Sequence, residues 1–343
     1  MHECYSDTDL DLKRLLKRGA LITAANWQTV AIQFVAETTF QMLLAVPIVG
    51  AALMVAVLLG GDVANFVQGP IRDMFASVAD ALTAEPVALG AFVAAFGIVL
   101  LGGSVLMFLV KGGTMAVLID ANEHAGPVEH EPITYEGLKS AARFSMPVFL
   151  HGCTRFFRSY LTLGLALMVV YALTGLAYLG LVVYGYRAFG ENRVLIGWTF
   201  VAALAAVALV LWITFVNLVY LLLQMAIAVE GVRLLDATRV VARFARAEAR
   251  SLGGIFVIVL GMVVGATFAS ALAWSGVGLI AFVPLVGLAV FPLQIAAWLI
   301  RGLVFEYIGL TALGAYLTLY RDHVLAHRVD RGRAVESAIA SVT

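Results

Sequence analysis

The chain has 343 residues, of which 62% are hydrophobic and only 13% are Asp, Glu, Lys or Arg. Soluble domains average ~25% charged and ~45–50% apolar residues, so this composition excludes a soluble globular enzyme and a disordered chain. Basic and acidic residues balance at 22 each, and two cysteines, Cys4 and Cys153, are too few for a disulfide scaffold. The composition predicts an all-α, polytopic integral membrane protein.

The first 36 residues are predicted to be a cytoplasmic segment with an amphipathic helix. The sequence begins with acidic and polar residues and lacks a basic region before an apolar run, so no cleavable signal peptide is predicted. We expect the helix to lie in the membrane interface, where anionic headgroups attract its cations. Three leucines, Leu12, Leu15 and Leu16, lie opposite Lys13, Arg14, Lys17 and Arg18.

Residues 37–320 contain the apolar runs, and a helix needs ~20 apolar residues to cross the ~30 Å bilayer core. The runs cover residues 40–59, 87–110, 159–186, 194–229 and 251–320. The last run fits two helices, near 251–274 and 291–320, but three would also fit. We predict six transmembrane helices, with seven as the alternative. In the six-helix case, the loop within the last run contains Ser275, Gly276, Pro284 and Pro292.

The distribution of basic residues favours six spans. With six spans, 18 Lys and Arg residues lie on one side and three on the other, while Arg301 lies within a span. The side rich in Lys and Arg is ordinarily the cytoplasmic one. A seventh span would carry the four arginines of the tail, residues 321–343, across the membrane. We therefore expect a bacterial cytoplasmic (inner) membrane protein with both termini in the cytoplasm.

The spans group into three divergent helix-hairpin units that begin near Leu10, Thr134 and Asp236. Each unit starts with a basic amphipathic segment that leads into a span. In the second unit, Pro147 is predicted to bend this segment. A short internal match supports the repeat, with chance similarity of apolar helices as the alternative. The match pairs Met115 and Asp120 with Met225 and Glu230, at the same offset of five residues.

The third amphipathic segment carries the most function-like pattern. Asp236 is predicted to cap its helix. Four arginines then fall within ~60° of one helix face at 100° per residue. We interpret this stripe as a site for lipid phosphates or for an acidic patch of a partner protein. The alternative is a solvated face that merely follows the positive-inside bias. The stripe consists of Arg239, Arg243, Arg246 and Arg250.

Several segments resemble a known family. They are residues 111–117, 125–127, 135–138, 229–231 with 236–239, and 316–322. These segments resemble the bacterial superfamily of six-span proteins related to the membrane domain of glycerophosphodiester phosphodiesterases. The phosphodiesterase catalytic domain that follows in some relatives has no counterpart here. The resemblance therefore implies a topology and not an enzyme.

Three charged residues lie within an apolar run or directly at its end: Lys111, Arg301 and Glu306. A charge at mid-bilayer costs at least ~2.5–3.5 kcal/mol, so each one requires a partner or water. Lys111 and Glu306 are predicted to meet across the second and sixth spans. Arg301 is predicted to extend to the interface. The functional interpretation is an ion or proton site, and the structural one is an ion pair that supports the fold.

Other polar patterns point to structure more than to chemistry. Asn217 and Gln224 are predicted to hydrogen-bond across helices. Gly261 and Gly265 form a GxxxG pattern that predicts helix packing within the chain, or dimerisation. The sequence contains neither a catalytic constellation nor a cofactor motif, and we expect no metal site. The histidines and acids that could serve as metal ligands are predicted to be solvated instead: Glu123, His124, Glu129, His130, Glu131, His323 and His327.

Together these patterns predict a non-enzymatic membrane protein that organises or modulates the membrane or a partner complex through its basic interfacial helices. Membrane lipids, anionic ones in particular, are the expected partners. A protein partner or a homo-oligomer is the further option, and nucleic acid is not expected. The alternative function is a small transporter or channel, with a lipid or another apolar substrate as one option.

Overall fold

The protein is built from helices in the computed structural model, which describes residues 3–58, 86–189, 194–281 and 286–340. Within these residues there are nine helices and no strands, which confirms the all-α prediction. The helices are α1 (Glu3–Ala25), α2 (Trp27–Leu58), α3 (Pro86–His124), α4 (Tyr135–Ala141), α5 (Met146–Phe189), α6 (Val194–Glu230), α7 (Leu234–Ala247), α8 (Ala249–Ala281) and α9 (Val286–Ala340).

Six of these helices are long and apolar enough to cross a membrane, so the protein is of the multi-pass type. The sixth and last lies in α9, and the described part of the final apolar run contains two long helices rather than three. The six-span count is therefore supported over seven. The candidate spans are Trp27–Gly50, Leu89–His124, Met146–Gly185, Gly197–Glu230, Ala249–Ser275 and Pro292–Ala326.

Part of the loop predicted in the last apolar run is helical. Helix α8 continues through Ser275 and Gly276 to Ala281, and Pro292 lies inside α9. A membrane favours this continuation because helix hydrogen bonds satisfy the backbone where water is absent. Pro284 lies outside the described residues. The predicted domain boundaries also differ from helix ends, because α2 begins at Trp27 and α9 continues beyond residue 320.

The second amphipathic segment is divided into two helices. The Thr134 side chain accepts a hydrogen bond from the Gly137 amide at 3.2 Å and so caps α4, which ends at Ala141. Helix α5 then begins at Met146, with Pro147 in its first turn. Proline is favourable there because a first-turn N–H has no partner within the helix. Pro147 therefore starts a helix rather than bending one.

Contacts divide the chain into two units, Ile32–Val110 and the combination of Met1–Ala31 with Lys111–Thr343. In the first unit, the Phe40 ring occupies the position that a side chain at Gly103 would take. The glycine therefore lets α2 and α3 approach closely. Within α3, the Ser104 hydroxyl donates to the Leu100 carbonyl at 2.6 Å.

In the second unit, α1 crosses α9 at a pair of glycines. A Cβ on Gly19 would lie 2.7 Å from the Ala315 nitrogen, and it would also meet the Thr311 carbonyl oxygen. A Cβ on Gly314 would lie 3.0 Å from the Gly19 Cα. Leu15 is buried one turn before this crossing. Protein rather than lipid therefore covers the apolar face of α1, contrary to the interfacial position expected from its amphipathic pattern.

The GxxxG pattern of α8 has a different environment from this crossing. A Cβ on Gly261 or on Gly265 would meet no heavy atom within 4 Å in the described part of the chain. The prediction that this pattern packs against another helix of the same chain is therefore wrong for the described residues.

Candidate functional site

Arg18 of α1 is the centre of a polar cluster that joins three segments. Its Nη1 donates to Glu129 Oε2 at 2.8 Å and to the Gly126 carbonyl at 2.6 Å. Its Nε donates to Asn122 Oδ1 at 2.8 Å. Thr318 of α9 donates to the same Asn122 oxygen at 3.4 Å. We call Arg18, Asn122, Gly126, Glu129 and Thr318 the Arg18 cluster.

Glu129 is the buried anion of this cluster, with 3% of its side chain exposed. Burial by itself would raise the pKa of Glu129, but a backbone hydrogen bond and its bonds with Arg18 and Arg14 outweigh burial and lower that pKa. Glu131, which is exposed, has its pKa lowered by its hydrogen bond with Lys17 at 3.0 Å. The acidic loop predicted to be solvated is therefore a structural partner of α1.

Asn26, in the turn between α1 and α2, holds the connection between α4 and α5. The backbone amides of Arg143 and Phe144 donate to its Oδ1 at 2.9 and 2.8 Å. Its Nδ2 donates to the Ala141 carbonyl at 2.8 Å. The Arg143 side chain forms an ion pair with Asp120 at 3.1 Å. In the second basic segment, Arg143 therefore makes contacts within the protein, whereas Lys139 is exposed.

Helix α7 presents three of the four predicted stripe arginines to the exterior. Arg239, Arg243 and Arg246 are all exposed, while Val241 and Phe244 are buried on the opposite side. The arginines recur at three- and four-residue spacing, which places them on one face. We call Arg239, Arg243 and Arg246 the arginine face.

Two details of the predicted stripe are wrong. The helix ends at Ala247, and a break at Glu248 separates Arg250, which lies in the first turn of α8. A 100° rotation per residue therefore does not apply across this break. The N-cap is Arg233 rather than Asp236, and no side-chain hydrogen bond caps the helix. Asp236 lies in the first turn, where its charge favours the helix dipole.

The buried side of α7 is fixed to α9 by aromatic contacts. The Phe244 ring meets the Tyr320 ring edge-on at 5.0 Å and the His323 ring at 5.2 Å. The Tyr320 hydroxyl donates to Glu230 of α6 at 2.5 Å. His323 also lies 3.6 Å from Glu248, just after α7. These contacts hold α7 in one orientation, so its arginines are displayed by a fixed helix.

Arg239 of the arginine face is weakly engaged with the rest of the chain. The Arg239 side chain is 82% exposed, and its nearest described acid is Asp236 at 3.8 Å, one turn away on the same helix. By contrast, the Arg18 side chain is 13% exposed and makes four hydrogen bonds. The basic segments therefore differ in how far the fold uses their cations, which the sequence pattern alone did not indicate.

Two of the three predicted intramembrane charges, Lys111 and Arg301, meet aromatic rings. The Lys111 Nζ lies 5.2 Å from the centre of the Tyr220 ring, and the Arg301 guanidinium lies 5.6 Å from the Phe305 ring. Cation–π contacts of this kind stabilise a charge by ~0.5–2 kcal/mol. Arg301 is exposed and Glu306 is half-buried. The pairing of Lys111 with Glu306 stays a prediction.

Polar contacts also join spans α5 and α6. The Tyr171 hydroxyl donates to Asn217 Oδ1 at 2.5 Å, which confirms the prediction that Asn217 bonds across helices. Gln224 behaves differently, because its side chain donates to Tyr220 of its own helix at 2.8 Å. The hydrogen bond that joins α5 to α6 near Gln224 comes from Tyr160, whose hydroxyl donates to the backbone carbonyl of Gln224 at 3.0 Å. The tyrosines were not predicted, because an aromatic residue in an apolar run carries no signal of its partner.

Neither a metal site nor a disulfide marks a reactive centre within the described residues. No group of three or more His, Cys, Asp or Glu side chains there could hold a metal ion. The side chain of His327, a candidate metal ligand in the sequence, lies outside the described residues. Cys153 is a free, buried thiol packed beside Gly113.

Comparisons of the chain with protein-family models, with curated proteins and with solved structures found no match. Only the geometry of the arginine face therefore bears on its role. It combines exposure, charge and a fixed backbone in a chain with six candidate membrane spans.

Proposed function

We propose that this protein is a non-enzymatic protein of the bacterial cytoplasmic membrane that binds the phosphates of anionic lipids through its arginine face and so organises the surrounding membrane. One observation carries this proposal. Arg239, Arg243 and Arg246 are exposed on a helix whose opposite face, at Phe244, packs against the span helix α9. The helix that bears the charges is thereby attached to the membrane-spanning part of the chain.

The chemistry of arginine supports a phosphate ligand. A guanidinium presents a planar set of donors that binds phosphate oxygens in pairs, which an ammonium group does not reproduce. Each basic residue near an anionic membrane surface contributes ~1 kcal/mol, so three arginines would supply ~3 kcal/mol. Packing of α7 against α9 lowers the entropic cost of binding because the helix is already oriented.

The orientation of the chain belongs to the same proposal. The positive-inside asymmetry predicts that α7 faces the cytoplasm, where the leaflet is rich in anionic lipid. Single cysteines at His130 and Ser337 should then react with an impermeant maleimide only after permeabilisation of cells, while one at Asn192 should react in intact cells. The background is Cys4→Ser, with Cys153 left in place because it is buried. Labelling of the Ser337→Cys variant in intact cells would contradict the six-span orientation.

The lipid proposal is tested by the anionic lipid that remains with the protein after purification in a mild detergent. The test variant is Arg239→Gln/Arg243→Gln/Arg246→Gln. The matched control removes three other exposed cations expected on the same side of the membrane, Lys139→Gln/Arg155→Gln/Arg158→Gln.

At low salt the test variant should retain much less phosphatidylglycerol than the wild type and the control. The difference should shrink at high salt, because salt screens exposed charges. Equal retention by the test variant and the wild type at low salt would contradict the proposal. Loss of a co-purifying protein without loss of lipid would indicate that the face binds a protein partner instead.

A transporter is the second candidate function, and one feature supports it. Polar contacts recur along the α5–α6 pair, where Trp212 donates to Thr174 at 3.2 Å and Tyr171 donates to Asn217. Polar side chains within membrane spans are commonly found where helices line a substrate or ion path. Purified protein in dye-loaded vesicles should show no ion or proton flux under the lipid proposal. Flux that is abolished by Asn217→Leu would favour the transporter.

A further inference from the structure

An apolar groove lies directly beside the arginine face. Its volume is about 430 Å³, and helices α6, α7 and α8 line it. This volume falls within the ~300–1,000 Å³ range of sites that bind small molecules. Residues from all three helices form its walls, among them Leu218, Leu222, Thr238, Ala242, Ala245 and Gly253.

The groove lies between the charged and the buried sides of α7. At 100° per residue, Ala242 is ~40–60° from Arg246 and Arg239 around the helix, and Ala245 is a further ~60° away. Val241, which also lines the groove, belongs to the buried side. A molecule in the groove therefore has hydrocarbon walls along its length and guanidinium groups at one edge.

The wall that α6 contributes belongs to a candidate membrane span. Leu218 and Leu222 lie in Gly197–Glu230, which is one of the six long apolar helices. A space with apolar walls excludes water, so hydrocarbon is a better occupant than a polar solute. Alanine and glycine at Ala242, Ala245 and Gly253 leave the groove open, where larger side chains would fill it.

We propose that this groove holds one acyl chain of an anionic phospholipid whose phosphate is bound by Arg239 and Arg246. The inference rests on the proposed function and deepens it, because it turns a charged surface into a site for one lipid molecule. The complementarity is twofold: arginine with phosphate, and the apolar walls with the acyl chain. A ligand that satisfies both is retained longer than one that satisfies either.

Gly253 offers a clean way to fill the groove. A Cβ at this position meets no described heavy atom within 4 Å, so a leucine side chain can enter open space without displacing backbone. Gly261 is the matched control, because it lies on the same helix α8 and has an equally open environment. It does not line the groove. Ala245→Leu on α7 is a second filling variant, for use if Gly253→Leu does not fold.

The experiment is native mass spectrometry of the full-length protein titrated with dioleoyl phosphatidylglycerol. The wild type and Gly261→Leu should each bind one lipid tightly. Gly253→Leu should bind it at least about tenfold more weakly, since excluding even two methylene groups from an apolar site changes a binding constant by that factor. Thermal unfolding of each variant reports whether it folds.

Two results separate the groove from the arginine face. If Gly253→Leu and Ala245→Leu bind as tightly as the wild type while Arg239→Gln/Arg243→Gln/Arg246→Gln binds weakly, the groove inference is wrong and the proposed function stands. If the arginine variant binds phosphatidylglycerol as tightly as the wild type, the proposed function fails. In that case, weaker lipid binding by Gly253→Leu alone would show that the groove holds an acyl chain without help from the arginines. That result also overturns the inference, which requires the arginines to bind the phosphate of the same lipid.

Discussion

Arg18 and Glu129 form an ion pair of 2.8 Å between segments that are 111 residues apart in the chain. This pair explains why two basic helices with similar sequence patterns differ in the exposure of their cations. The cations of α1 contact carboxylates of the loop after α3, whereas the arginine face of α7 is exposed. Charge that the fold already uses is not available to a lipid, so of these two helices only α7 carries the lipid-binding proposal.

The first prediction concerns this ion pair. Glu129→Gln keeps the shape of the side chain but removes its charge, which leaves Arg18 without its buried counter-ion. Breaking a buried pair costs about 3–5 kcal/mol, so we expect a loss of stability in the lower part of that range because Arg14 is half-exposed. The control Glu131→Gln removes an exposed charge and should change stability little. Chemical unfolding in detergent measures both, and equal stabilities would contradict the structural role of Glu129.

The same carboxylate predicts a dependence on pH. The pKa of Glu129 is lower in the folded protein than the usual value of about 4.3. Its stabilising contribution is therefore fully present above about pH 4.3 and is lost as the pH falls through the lower folded value. The difference in Tm between the wild type and Glu129→Gln should be constant above about pH 5 and shrink below about pH 4. A Tm difference that grows on acidification would show that folding raises the pKa of Glu129 instead of lowering it.

The third prediction concerns the crossing of α1 and α9. Gly19→Val would place a side chain against the Ala315 nitrogen, 2.7 Å from the new Cβ, so the two helices must separate. Overpacking of this kind costs about 1–3 kcal/mol or more where backbone blocks the new atoms. Gly265→Val, where the new Cβ would meet no described atom within 4 Å, is the control and should be nearly neutral. Thermal unfolding of the two variants should separate them, and similar Tm values would disprove a close crossing at Gly19.

The fourth prediction is the pairing of Lys111 with Glu306. If they interact, Lys111→Met and Glu306→Gln should each lower the free energy of unfolding. The loss in the double variant should then be smaller than the sum of the two single losses. Coupled residues show interaction free energies of about 0.5–3 kcal/mol, and independent residues show about zero. The cycle of Lys111→Met with Arg301→Met serves as the control and should be additive. Additivity in both cycles would reject the pair.

The number and kind of the membrane-spanning helices could be predicted from the sequence because hydrocarbon thickness and backbone hydrogen bonding leave little choice. Helix ends were less predictable. Pro147 and Pro292 are typical helix breakers, yet one starts α5 and the other lies inside α9. The effect of a proline depends on whether the helix needs an N–H donor at the position of the proline, and the local pattern does not reveal this.

The sequence predicts which arginines of α7 share a face, but not that this face is exposed. Helical periodicity identified the arginines of α7, because three- and four-residue spacing places side chains on one face. It could not distinguish them from the cations of α1, whose partner Glu129 is distant in sequence. The break at Glu248 and the groove beside Ala242 also depend on contacts between α7 and other helices. Such contacts are set by the tertiary fold rather than by a local pattern.

The most direct test of the account places a reporter beside the arginine face. Ala247→Cys, on the exposed side of α7 and ~40° from Arg243 around the helix, is labelled with a small fluorophore in the Cys4→Ser background. The protein is reconstituted in phosphatidylcholine vesicles with traces of either phosphatidylglycerol or phosphatidylcholine that carry a nitroxide on the headgroup. We expect stronger quenching by the anionic lipid, and loss of that preference in Arg239→Gln/Arg243→Gln/Arg246→Gln. Equal quenching by the two lipids in the wild-type background would contradict a lipid-binding arginine face.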